Sequence, residues 1–198
     1  MTRPSWVTWV PVTIVAYAVG VAVSTWLVGL TARPLSGVFG GILFVLLYGA
    51  VIGLGVSAVQ LVAIPRGTVA LRTWLGATVI GGALGLAVAS VVAEFLADLI
   101  DPSVNLVLGE GVIQDTSGAV VGAAIGSAQW LVLRPLMPKG RRWILMTALG
   151  GALGYGFAAI LLELIDVAPL RAALVPSFGA ILGAFIGVAQ GLALRAKG

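Results

Sequence analysis

Long apolar runs alternate along the chain with short clusters of Pro, Gly and charged residues. The runs fall at Trp6–Leu30, Val38–Ile64, Thr73–Ala97, Ser117–Leu133, Trp143–Ile165 and Val175–Leu194. None alternates apolar with polar residues in the period of two that a barrel strand needs. Each approaches or exceeds the ~20 apolar residues that carry a helix across a bilayer. The pattern therefore predicts six membrane-spanning helices, with a loop over Asp101–Thr116 as the longest connection. The first run is longer than the ~7–15-residue core of a signal peptide and lacks a small-residue cleavage site, so it is expected to remain in the mature fold.

Within the apolar runs the small and polar residues repeat. The second run carries Gly49, Gly53, Ser57 and Gln60, the fourth Gly118, Gly122, Gly126 and Gln129, and the sixth Gly179, Gly183, Gly187 and Gln190. Spacings of four, four and three place each set on one helical stripe. The other three runs share a second pattern: Trp9, Thr13 and Gly20; Trp74, Thr78 and Gly85; Trp143, Thr147 and Gly154. Trp74 to Trp143, Gln60 to Gln129 and Glu94 to Glu163 are each 69 residues apart, an agreement at separated positions that marks an internal repeat. The expected architecture is all-α: a polytopic membrane protein forming one transmembrane domain. Its six helices are read as three repeated hairpins (approximately 5–66, 72–135 and 141–196) in a compact pseudo-threefold bundle.

Apolarity alone does not join helices in lipid, because lipid tails are as apolar as Leu. Small residues do, by letting backbones approach, so the glycine stripes are expected to be packing seams of the glycine-zipper kind. The glutamines end those stripes at a depth similar to Thr13, Thr78 and Thr147, which makes Thr and Gln candidate partners. Two readings follow: interhelical glue, or three amides lining a polar cavity. Trp9, Trp74 and Trp143 begin their helices and are expected to anchor at the headgroup level.

Composition agrees with bilayer burial. Hydrophobic residues make up 60% of the chain, charged residues 9%, and the mean hydropathy is +1.15; a soluble domain carries about 25% charged residues. Cysteine and histidine are both absent, which removes disulfides, Cys or His metal sites and His-dependent nucleophilic catalysis. No cofactor is expected, and an enzyme is the least favoured class, because the acid–base candidates are confined to one edge.

Charge sets the orientation. Arg3, Arg66, Arg72, Arg134, Lys139, Arg141, Arg142, Arg195 and Lys197 fall on one side of the six spans, and only Arg33 and Arg171 on the other. The positive-inside rule then puts both termini in the cytoplasm of a multi-pass cell-membrane protein. All seven acids lie toward the opposite side. Glu94 and Glu163 are the deepest, and reaching the outer interface is the favoured reading over an intramembrane site. Arg171 is a candidate partner for Glu163 or Asp166.

The run AQWLVLR at Ala128–Arg134, and the weaker AQGLALR at Ala189–Arg195, resemble segments of uncharacterised bacterial multi-span membrane proteins. The resemblance implies a bacterial inner membrane and no activity. In size the chain is also similar to the substrate-binding components of energy-coupling vitamin importers, without a shared motif. Its glycine-rich hairpins are superficially similar to proton-ring subunits, but those carry the carboxylate at mid-membrane. The expected role is a non-catalytic accessory or scaffold subunit, the alternative a small-solute transporter or channel lined by the repeat glutamines. The expected partners are the lipid bilayer and other membrane-protein subunits, not nucleic acid.

Overall fold

A computed structural model describes residues 5–31, 37–65, 67, 69–100, 106–137, 140–163 and 168–195. The described residues are all-α: α1 (Trp6–Thr31), α2 (Gly37–Gln60), α3 (Leu71–Leu99), α4 (Leu106–Leu133), α5 (Gly140–Glu163) and α6 (Ala168–Arg195). All six are long and apolar enough to cross a membrane. Their extensive contacts are between neighbours in sequence, with α1 and α6 packed together to close the ring.

Neighbours run antiparallel, and glycine sets how closely they approach. Gly49 and Gly53 of α2 lie on the backbones of Gly82 and Thr78 in α3. Gly118 and Gly122 of α4 lie on Gly151 and Thr147 in α5, and Gly179 and Gly183 of α6 on Tyr17 and Thr13 in α1. At each of these places a side chain would have to occupy the neighbouring backbone. Gly126 and Gly187 meet the Thr147 and Thr13 side chains instead. The remaining seams use glycines of the odd helices: Gly20 faces Ile52 and Val56, Gly85 faces Val121 and Ala124, and Gly154 faces Leu182.

The burial pattern is inverted relative to a water-soluble bundle. Gln60, Gln129, Gln190, Thr13, Thr78 and Thr147 have no exposed surface, while Val91, Leu131 and Phe95 are more than 60% exposed. Lipid supplies the apolar surroundings that such an exterior needs, and the helices satisfy their own backbone groups. The geometry is consistent with an integral membrane protein.

Three boundaries differ from the sequence reading by four residues or more, one of them the start of α6, at Ala168 rather than Val175. Helix α4 begins at Leu106, so most of the expected loop Asp101–Thr116 is helical. Its glycines and acids suggested a connection, but Leu106, Val107, Leu108, Val112 and Ile113 continue an apolar pattern, and the helix retains its internal hydrogen bonds. Helix α2 ends at Gln60 rather than Ile64; residues 61–64 form turns in which the amides of Val62, Ala63 and Ile64 donate to carbonyls three residues back. Gly67, at φ +77°, then takes a left-handed conformation suited to glycine on the way into α3. Arg3, Arg33, Arg66, Asp101, Lys139, Asp166 and Lys197 lie outside the described residues, as do the side chains of Glu110, Glu163 and Arg171.

Gly122→Leu is expected to lower the stability of the purified protein by at least ~1–3 kcal/mol, because overpacking a close backbone contact forces the helices apart. Gly76→Leu is the control, since a Cβ there meets nothing within 4 Å. Thermal unfolding in detergent should separate the two variants; equal melting temperatures would remove the seam argument.

Candidate functional site: a glutamine, threonine and tryptophan core

Gln60, Gln129 and Gln190 project from the ends of α2, α4 and α6 that lie beside the described basic residues. They meet one another. Gln190 Nε2 donates to Gln129 Oε1 at 3.2 Å, and Gln129 Nε2 donates to Gln60 Oε1 at 3.1 Å. Each amide also donates to a threonine of the preceding helix: Gln60 to Thr13 at 3.3 Å, Gln129 to Thr78 at 3.5 Å and Gln190 to Thr147 at 3.2 Å.

The threonines are arranged to accept. The hydroxyl of Thr78 donates to the Trp74 carbonyl at 3.0 Å, and that of Thr147 to the Trp143 carbonyl at 2.8 Å. This bond to the carbonyl four residues back directs the proton into the threonine's own helix and leaves the oxygen free for the glutamine. A threonine stripe beside a glutamine stripe thus forms a mixed network.

The three amides form an open chain rather than a closed ring. The Gln190 carbonyl receives the Trp9 indole N–H at 2.9 Å. Trp9 sits edge-on against Trp74, with ring centroids 6.1 Å apart, and against Trp143 at 5.7 Å. All three indoles are fully buried, and the Trp74 and Trp143 N–H groups have no partner among the described residues.

This overturns the expected headgroup anchoring of Trp9, Trp74 and Trp143. Each lies four residues before a buried threonine, hence on the same helical stripe, and that stripe faces inward. Side chains with an anchor's geometry lie elsewhere at this end. Trp6 is 43% exposed with the Arg195 guanidinium 4.5 Å from its ring centroid. Trp130 is half-buried, with Arg134 at 5.9 Å, and donates its N–H to the Met137 carbonyl at 3.1 Å. Gly140 leaves room for that indole, because a Cβ there would enter the ring.

The described carboxylates do not join this network. Glu94 and Asp98 are exposed near the far end of α3. Sequence reasoning missed Asp115, which lies within the apolar span of α4 and packs its carboxylate against Gly156 of α5. Among the described residues no group of three or more acids stands close enough to hold a metal ion. The core offers neutral donors and acceptors, and none is a nucleophile paired with a base.

No family model, curated protein or solved structure matches the chain.

Because Gln129 both donates to Gln60 and accepts from Gln190, Gln129→Leu should cost ~1–3 kcal/mol through partners left unpaired. A double-mutant cycle with Gln60→Leu and Gln129→Leu should give a coupling of about 0.5–2 kcal/mol. Strictly additive effects would show that the amide contact carries no energy.

Proposed function

We propose that the chain is a multi-pass cell-membrane protein with both termini cytoplasmic and a non-catalytic role. It acts as an accessory or scaffold subunit that binds other membrane proteins. On this reading residues 1–198 form one transmembrane domain of three hairpins (approximately 5–66, 72–135 and 141–196) about a pseudo-threefold axis.

Support for the threefold reading comes from contacts that recur at matched positions. Gly53 lies on Thr78, Gly122 on Thr147 and Gly183 on Thr13. The Thr–Gln bond recurs in each hairpin as well. The observation that carries the scaffold reading is the complete burial of three amides against one another and against threonine. Such a cluster fixes helix positions. It leaves no wet surface along which a solute could pass, and this counts against a glutamine-lined conduit.

Two experiments test the reading. Cysteines placed at Ser103 and Lys139 should label from opposite sides of the membrane, as the charge asymmetry requires; same-side labelling would overturn the topology. Proteoliposomes containing the purified chain should be no more permeable to small solutes than empty vesicles. A saturable flux lost on Gln129→Leu, with the protein still folded, would replace the scaffold with the transporter.

A further inference from the structure

The two halves of the ring interior differ. Toward the basic end, matched positions carry the same residues: Trp9, Trp74 and Trp143; Thr13, Thr78 and Thr147; Gln60, Gln129 and Gln190. Further from that end the seam glycines still match, but other interior positions diverge. Tyr17 stands where the other hairpins have Gly82 and Gly151, Tyr48 where they have Ser117 and Phe178, and Tyr155 where they have Val21 and Leu86.

These divergent positions surround a cavity of about 50 Å³, to which all six helices contribute wall residues. Tyr17, Tyr48, Tyr155 and Phe178 are its aromatic walls. Tyr155 and Phe178 meet edge to face at 5.2 Å, and the Tyr48 hydroxyl is partnered with Thr25 Oγ1 at 3.2 Å. The Tyr17 hydroxyl is different. Tyr17 is 1% exposed, and its hydroxyl has no partner among the described residues. A phenol buried without a partner is destabilising, and phenylalanine would fill the same space without that penalty.

The geometry points to a binding pocket for a very small uncharged organic molecule: a short alkyl body of about two or three carbons carrying one oxygen or nitrogen that bonds the Tyr17 hydroxyl, since a benzene ring needs a cavity of roughly 150 Å³. The aromatic walls take the apolar body, as in other concave sites with few polar groups. Among the described residues no charged side chain lines the cavity, so a charged ligand would enter without compensation. The Gln, Thr and Trp layers close the end toward the basic residues, which makes the pocket blind. The assignment goes beyond the scaffold role and does not depend on it.

The test uses the full chain in lipid nanodiscs, with 2-fluoroethanol as the probe and its fluorine resonance as the readout. Wild type should give a saturable bound signal that empty nanodiscs lack. Tyr17→Phe keeps the ring and removes only the hydroxyl, and should weaken binding by roughly five- to tenfold, the effect of one neutral hydrogen bond. Leu86→Trp should fill the cavity and abolish binding; if that variant does not fold, Tyr17→Phe decides alone. Non-saturable partitioning equal in wild type, Tyr17→Phe and empty nanodiscs would overturn the pocket, leaving it to water. Saturable binding unchanged by Tyr17→Phe would equally overturn the assignment.

Discussion

An amide surrounded by hydrocarbon must find its hydrogen-bond partners within the protein. A glutamine facing lipid would cost several kcal/mol, roughly 4–8 on a cyclohexane scale. Three glutamines on three helices therefore constrain the whole assembly, because each needs a donor or acceptor supplied by another helix. Their convergence answers that constraint. Gln190 donates to Gln129, Gln129 to Gln60, and all three donate to threonines on the adjoining helices. The bonds are directional and short in reach, so they fix both the depth of each helix and its rotation about its own axis.

Such a cluster forms only if the helices come close, and that is the contribution of glycine. Gly53, Gly122 and Gly183 each lie on the backbone beside a threonine that accepts a glutamine amide. The small residue and the polar residue are thus two parts of one device: the glycine brings the threonine's helix near, and the threonine oxygen then lies within reach of the amide. Dispersion across the seam holds the rest, since lipid offers no apolar driving force between helices. The exterior carries little of this specificity. Residues such as Val91 and Leu131 face outward and need only be apolar.

The helices were legible in the sequence because bilayer thickness imposes a length on apolar runs, and the seams because a stripe of small residues has few other uses. The Thr and Gln positions stood out as polar residues within apolar segments. The tryptophans were misread for an instructive reason. The preference of indole for the headgroup region describes lipid-facing residues, whereas Trp9, Trp74 and Trp143 share a stripe with buried threonines. Phase along the helix outweighs distance from its end, and the spacing of four held that signal. The start of α4 was hidden because Glu110 and Asp115 suggest a solvated loop, while a helix accommodates acids in its outer turns. Tyr17 gave no signal by itself; its meaning depends on which residues lie across the ring.

On the three-hairpin reading, repetition and divergence divide the interior into two parts with different constraints. Any change to a glutamine, to its threonine or to Trp9 leaves a partner unsatisfied, so those positions tolerate little independent variation. The layers beyond them are held by the same backbone but lack that coupling, and there one hairpin can carry tyrosine where the others carry glycine. Stability and chemical individuality are then set by different turns of the same helices. The unpaired phenol can persist because its cost is borne by a framework whose other buried amides are already bonded.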